Sequence, residues 1–281
     1  MKRAPRPTLA IIWLALFLAL PPLLTPSAAQ AEITSIADAI NKSGRQRMLS
    51  QRILSTYCQV GKKVNLTKSK KQLNDAISLF ESQLNELKSY TMSTEIINKQ
   101  KDLEINIDGA LMKVTRLWVP VKMIVSQEVW RSRAEELQAL SENLLKASHA
   151  VVLLLQELSG SESGRLVNIA GRQRMLSQRL SSLYILKSWG FNNPDYESAY
   201  LKAIKEYRAA LDELKSASIN TRKIKRSLID AEKYFKMFEN SNSMTVSAPS
   251  MLRRSAAKML TIMNNVTMLY QVESEKLQKA S

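Results

Sequence analysis

A twelve-residue motif occurs twice in this chain, and the distance between its copies limits the possible folds more than any other feature. Residues 41–52 read NKSGRQRMLSQR and residues 168–179 read NIAGRQRMLSQR, so ten of twelve positions are identical at an offset of 127. The same offset aligns 76–89 with 203–216 without gaps, and seven of these fourteen positions are identical. Repetition at a fixed spacing over most of a chain indicates an internal duplication.

The second copy is expected to be shorter than the first. Residues 144–156 align best with 259–271, which is an offset of 115 rather than 127. About a dozen residues should therefore be missing from the second copy, and we place this gap in the region of its third and fourth helices.

Each copy contains four stretches in which apolar residues recur at intervals of three and four, as in amphipathic helices. Proline and glycine are rare, with 8 and 7 in the chain, and five of the prolines precede residue 32. So few breaks argue against an all-β fold and against βα units. The sequence predicts an all-α protein of two tandem antiparallel four-helix bundles, at 32–159 and 160–281. The predicted helices are roughly 33–60, 68–90, 94–126 and 131–158 in the first copy, and 164–189, 195–217, 219–240 and 249–279 in the second.

The first 31 residues have the pattern of a secretory signal peptide. Lys2, Arg3 and Arg6 precede an uncharged apolar run, and Ala29 and Ala31 fit the small-residue positions of a cleavage site. We expect cleavage after Ala31 and export of the mature chain to the periplasm. The alternative is an uncleaved N-terminal membrane anchor, because the apolar run continues to residue 24.

The charge of the exported chain favours anionic partners. Removing residues 1–31, which carry three basic and no acidic residues, lowers the formal net charge from +16 to +13. A positive protein outside the cytoplasm attracts small anions or anionic surfaces. A nucleic-acid partner is not expected, because no basic run has interleaved aromatic residues.

Cysteine and histidine usage argues against catalysis and against metal or other cofactors. The chain has one cysteine, Cys58, and one histidine, His149, which excludes an intrachain disulfide and a multi-histidine metal site. Cys58 continues an apolar seam and is interpreted as a small buried hydrophobic residue. His149 is interpreted as a surface or hydrogen-bonded residue. We therefore expect a protein that is not an enzyme.

The duplicated motif places an arginine on the apolar seam of the first helix of each copy. Gly44, Arg47 and Gln51 follow Ile40 at intervals of four, three and four residues, and Leu54 continues the seam. The second copy repeats this pattern, with Gly171, Arg174 and Gln178 after Val167.

A buried arginine is unfavourable unless something offsets its charge. The sequence has no acidic residue between Asp38 and Asp75, or between Glu162 and Asp195. A guanidinium can offer two parallel N–H groups to a small oxyanion, so one interpretation is an anion site. The alternative is that the two arginines reach solvent or pair with a carboxylate from another helix.

The motif Asn-x-x-Gly-x-x-Arg-Met-Leu-Ser-Gln resembles the signature of the PilJ/NarX-like N-terminal sensory domain, and both copies carry it. This family occurs in nitrate and nitrite sensor kinases and in chemoreceptors, including type IV pilus-associated transducers. The resemblance implies a four-helix bundle whose anion lies between the first helices of two subunits. The motif arginine and the backbone near the motif glycine would hold that anion.

The resemblance implies a site and partners for this chain. It assigns ligand binding to Gly44, Arg47, Gly171 and Arg174, with Asn41, Lys42, Gln51, Asn168 and Gln178 as secondary candidates. Ile169 stands where the second copy would repeat Lys42. The expected ligand is nitrate or nitrite, and a homodimer is one possible assembly. We expect no transmembrane or kinase segment, and hence a signal passed to a membrane-bound sensor kinase or chemoreceptor. The alternative is a helical scaffold without a ligand.

Overall fold

The structure, a computed structural model, describes residues 32–240 and 249–280. The predicted signal segment and its cleavage site at Ala31 lie outside these residues. Every regular element within the described ranges is helical, and none is a strand. This confirms the all-α prediction.

The helix bounds agree closely with the sequence pattern. In the first copy the helices are α1 (Ile36–Gly61), α2 (Leu66–Thr91), α3 (Thr94–Asp102), α4 (Ile107–Val125) and α5 (Ala134–Ser159), with one 3₁₀ turn at Arg131–Arg133. In the second copy they are α6 (Glu162–Ser188), α7 (Pro194–Ser216), α8 (Arg222–Glu239) and α9 (Pro249–Ala280). The two motif-bearing helices start alike, because Ser35 and Ser161 each accept a hydrogen bond from the backbone N–H three residues later.

One segment that was predicted as a single helix consists of two helices in the structure. The segment 94–126 is split into α3 and α4 by a turn in which Glu104 adopts a positive φ of 55°. Asn106 then caps α4 by accepting a 2.7 Å hydrogen bond from the N–H of Gly109. This side-chain cap competes with helix continuation, which the apolar periodicity alone did not reveal.

The two copies repeat the same core packing. In the first, α1 packs on α2 and α5, and α4 packs on α5; in the second, α6 packs on α7 and α9, and α8 packs on α9. Phe80 of α2 stacks on Trp118 of α4 with ring centroids 4.2 Å apart, and Tyr207 of α7 stacks on Phe235 of α8 at 4.3 Å. The stacked pairs indicate two four-helix sets of the same design.

The gap in the second copy lies at the start of the region predicted for it, in the segment that corresponds to the predicted third helix, 94–126. Buried Phe80 and Tyr207 are 127 residues apart, whereas buried Trp118 and Phe235 are 117 apart. Most of the missing residues therefore lie between the second and third long helices, where the second copy has no counterpart of α3.

The two helices that carry the motifs are the most deeply packed in the chain. The described residues, 32–240 and 249–280, form one compact unit, in which α1 and α6 contact each other along much of their length. The motif glycines and arginines of the two helices face each other. No described helix is both long and apolar enough to cross a membrane.

Candidate functional site

The packing of α1 on α6 brings the two motif arginines to one place. Arg47 and Arg174 are both fully buried, with 0 % of their surface exposed. Gly44 and Gly171 face each other beside them: a methyl group built on Gly44 would lie 3.9 Å from the Cα of Gly171. The same methyl group would lie 3.2 Å from Nη2 of Arg47 and 3.3 Å from Nη2 of Arg174. The glycines therefore allow both guanidinium groups to converge between the helices.

Each arginine crosses to the other copy. Nη2 of Arg47 donates a 3.2 Å hydrogen bond to the backbone carbonyl of Asn168 in α6. Nη2 of Arg174 donates a 3.1 Å hydrogen bond to the carbonyl of Asn41 in α1, and its Nη1 donates to the Oδ1 of Asn41 at 2.8 Å. The arrangement is close to twofold symmetric, as the duplication implies.

Neither arginine has a compensating negative charge. No ion pair to Arg47 or Arg174 forms among the described residues, and neither side chain reaches solvent. Burial lowers the pKa of Arg47 to about 9, with a further contribution from Arg172. Burial also lowers the pKa of Arg174, helped by Arg45 and Arg47. Both structural alternatives from the sequence, reach to solvent and pairing with a carboxylate, are therefore wrong here.

Both guanidinium groups also keep unused hydrogen-bond donors. The Nε atoms of Arg47 and Arg174 are buried, and neither has a partner within the described part of the chain. Buried polar groups are normally satisfied, so a donor of this kind is a place where a ligand or an ordered water is expected.

Two asparagines hold the arginines from opposite sides. Asn41 donates from Nδ2 to Oε1 of Gln271 at 2.7 Å, and Asn168 donates from Nδ2 to Oε1 of Gln156 at 2.6 Å. The two copies differ in one respect, because the Oδ1 of Asn168 is buried without a partner, whereas that of Asn41 accepts from Arg174. Asn41 and Asn168, which are secondary candidates from the sequence, thus contact the motif arginines of the opposite copy.

Sequence reasoning missed two residues of this site. Nη1 of Arg47 donates to Nδ1 of His149 at 3.0 Å, and Nη1 of Arg174 approaches Oδ1 of Asn264 at 3.5 Å. Because Nδ1 accepts, His149 is in its neutral form, and burial together with Arg47 and Arg172 lowers the pKa of His149 to about 4. His149 and Asn264 are separated by the 115-residue offset of the fourth helices, and that alignment was the signal that could have found them.

Three secondary candidates make polar contacts with residues other than the two arginines. The ammonium group of Lys42 pairs with Glu86 of α2 at 2.6 Å and with Asp38 at 3.4 Å. Gln51 donates to Oε1 of Glu142 at 3.3 Å. Gln178 makes one weak contact, from Nε2 to the hydroxyl of Ser177 at 3.4 Å. The second copy has Ile169 in place of Lys42, and the replacement therefore does not change the surroundings of its motif arginine relative to the first copy.

Cys58 is buried as predicted, and burial raises the pKa of its thiol. Within residues 32–240 and 249–280, no three His, Cys, Asp or Glu side chains come together as a metal site would require.

Comparison with known proteins identifies the first copy. Residues 29–145 match the family model described as the N-terminal domain of type IV pili methyl-accepting chemotaxis transducers, PilJ. No curated protein and no solved structure gives a match. The matched range contains the first arginine motif and ends before the second. The family is a sensory, non-enzymatic one. Residues 29–145 are therefore similar to the sensory domain of the PilJ family.

Proposed function

We propose that this chain is an exported sensory protein that binds one small oxyanion, nitrate or nitrite, between its two repeats. The observation that carries this proposal is the pair of fully buried arginines, Arg47 and Arg174, which face each other with no carboxylate of the described residues between them. Two buried cations in one place are unfavourable unless an anion offsets both charges.

The donors around the arginines favour a small anion with several oxygens. Both Nη2 atoms lie within 3.4 Å of the methyl positions of Gly44 and Gly171, and both Nε atoms are free to donate. Planar guanidinium groups match the geometry of oxyanions through parallel N–H donors. The close approach of the helices at the two glycines disfavours a bulky ligand.

An anion bound between the two arginines would contact both repeats at once. Without an anion the two guanidinium groups repel each other across the α1–α6 contact, and an anion bound to both replaces this repulsion by attraction. The ligand would therefore shift the packing of 32–159 against 160–281, which we propose as the two domains of the chain. A membrane-bound sensor kinase or chemoreceptor is the proposed reader of that change, in keeping with the chemotaxis role of the family.

Isothermal titration calorimetry with nitrate, nitrite, sulfate and chloride tests the proposal. We expect about one nitrate or nitrite per chain, and loss of most binding in both Arg47→Ala and Arg174→Ala. The double variant should be little worse than either single variant, because both residues hold the same ion. Arg179→Met, which removes another arginine of α6, is the matched control and should bind normally. Two independent sites, each lost with its own arginine, would contradict the shared site.

A second function is a scaffold in which the same arginines only join the two repeats. It is favoured by the hydrogen bonds that each Nη2 donates to a carbonyl of the opposite helix. In that case no small anion should raise the melting temperature. A ligand at a hundredfold excess over its Kd would stabilise the folded chain by about 2.7 kcal/mol.

The export part of the proposal has its own test. The Ala-x-Ala pattern at Ala29 and Ala31 supports cleavage after Ala31. N-terminal sequencing of the protein recovered from the periplasm should begin at Glu32. A sequence that begins at Met1, together with recovery in the membrane fraction, would support the N-terminally anchored form instead.

A further inference from the structure

Among the described residues, four basic side chains and no acidic one line a groove between α1, α2, α6 and α9. Its volume is about 290 Å³. Arg52, Lys68, Arg253 and Arg254 line it, and the other lining side chains are polar or small except for Leu260. The groove is separate from the Arg47 and Arg174 pair, neither of which lines it.

The equivalent position in the other copy contains a carboxylate that this groove lacks. There, the carboxylate of Glu142 in α5 accepts hydrogen bonds from two side chains. Nη1 of Arg179 in α6 donates to it at 2.8 Å, and Nε2 of Gln51 in α1 donates at 3.3 Å. The three residues form a partly buried ion pair with a supporting amide.

The duplication maps this trio onto the groove residue by residue. Arg179 corresponds to Arg52 and Gln51 to Gln178 at the offset of 127 residues, and both line the groove. Glu142 corresponds to Ala257 at the offset of 115, and Ala257 also lines the groove. The groove therefore keeps the two donors of the trio and has a methyl group and open space in place of the carboxylate.

The positive charge of the groove is not neutralised from within the described residues. None of its four basic side chains forms an ion pair there, in contrast to Arg179. The carboxylate that acts on Arg52 most directly is that of Asp75, which is itself paired with Lys71 at 2.9 Å. Arg253 and Arg254 stand where the first copy has Gln138 and Ala139, so the second copy has gained two cations beside the lost carboxylate.

We propose that this groove is a second anion site, which binds a multiply charged, phosphate-type oxyanion. The anion takes the position of the missing carboxylate and accepts hydrogen bonds from Arg52 and Gln178. Arg253, Arg254 and Lys68 supply the remaining positive charge, which a singly charged anion would not balance. The proposal does not depend on anion binding at Arg47 and Arg174.

Calorimetry of the full chain with inorganic phosphate and with pyrophosphate tests the proposal. We expect one binding event, tighter for pyrophosphate, and a loss of roughly tenfold to hundredfold in affinity for Arg52→Gln, since a charged hydrogen bond is removed. Ala257→Glu should rebuild the ion pair seen on the opposite side and abolish binding. Arg179→Gln is the matched control, because it removes the corresponding arginine outside the groove, and it should bind phosphate normally.

A second experiment distinguishes a lipid headgroup from a soluble anion as the source of the phosphate group. Vesicles of phosphatidylcholine with phosphatidic acid are sedimented with the protein, with phosphatidylcholine vesicles as the reference. Sedimentation that Arg52→Gln abolishes assigns the site to a lipid headgroup, and binding of free phosphate without sedimentation assigns it to a soluble anion.

Three results would overturn the proposal. The first is the absence of a calorimetric signal with phosphate or pyrophosphate at millimolar concentration. The second is phosphate binding that is unchanged in both Arg52→Gln and Ala257→Glu. The third is phosphate binding that is lost in Arg47→Ala. The last result would place phosphate at the buried arginine pair. Nitrate binding lost in Arg47→Ala while phosphate binding persists would support both sites independently.

Discussion

Replacing Arg47 by methionine should stabilise the protein in the absence of a bound anion. Burial lowers the pKa of Arg47 from 12.5 to about 9, so the charged side chain is less favourable in the folded than in the unfolded chain. At 1.36 kcal/mol per pKa unit, this corresponds to about 5 kcal/mol. Because the folded-state pKa is lowered, the destabilisation is complete below pH 9 and disappears as the pH rises toward 12.5.

The substitution also removes two hydrogen bonds, to the carbonyl of Asn168 and to His149. Each contributes about 1 kcal/mol. The net expectation for Arg47→Met is therefore a gain of about 3 kcal/mol in the free energy of unfolding, since methionine fills a similar volume without a charge. For a chain of this size, the melting temperature should rise by roughly 6–12 °C.

Urea denaturation near pH 7 measures the effect, in a buffer whose anion is too large to enter between the helices. Arg179→Met is the control and should change stability in the opposite direction, because it leaves Glu142 partly buried without its cation. A lower free energy of unfolding for Arg47→Met would refute the reasoning and would mean that the cross-helix hydrogen bonds outweigh the buried charge. Addition of nitrate should narrow the difference between the two proteins, by stabilising only the wild type.

Three further predictions concern residues around the same contact. First, the pKa of His149 is lowered to about 4, so the unfolded chain binds more protons between about pH 4 and 6.5 and wild-type stability should fall as the pH drops through that window. His149→Asn, which places the residue of Asn264 in the first copy, should reduce this pH dependence in urea titrations at pH 7 and pH 5. An equal change in the free energy of unfolding between the two pH values for the variant and the wild type would contradict the prediction. Second, Gly44→Ala should weaken nitrate binding at least tenfold in calorimetry with unchanged circular dichroism, because its methyl group would lie 3.2–3.3 Å from both Nη2 atoms. Undiminished affinity would remove the anion from that space. Third, the buried thiol of Cys58, with its raised pKa, should react with a maleimide only as fast as the chain unfolds; rapid labelling of the native protein would show that α1 opens locally.

The sequence allowed the helices and the buried arginines to be predicted, because both follow from local spacing. Apolar residues at intervals of three and four located the ends of α1 and α6 within a few residues. The same spacing placed Arg47 and Arg174 on buried seams. Repetition at one offset then indicated that the two motifs occupy equivalent places.

The partners of those arginines could not be predicted in the same way. They depend on which helices meet across the two copies, and His149 reaches Arg47 from a helix about a hundred residues away in sequence. Lys42 was assigned to the site by resemblance, yet its neighbour in α2, Glu86, turns it to another face of α1. The break between α3 and α4 escaped detection because Asn106 ends one helical pattern and starts the next without a proline or glycine at the turn.

The contact between α1 and α6 joins two repeats of one polypeptide, so it forms at an effective concentration set by the chain rather than by how much protein the cell makes. An interface between separate subunits dissociates on dilution, and a ligand that binds across it then responds to the amount of protein as well as to the amount of ligand. Here the assembly step is intramolecular. The dose–response curve of any ligand held between α1 and α6 should therefore keep the same midpoint at low and at high copy number.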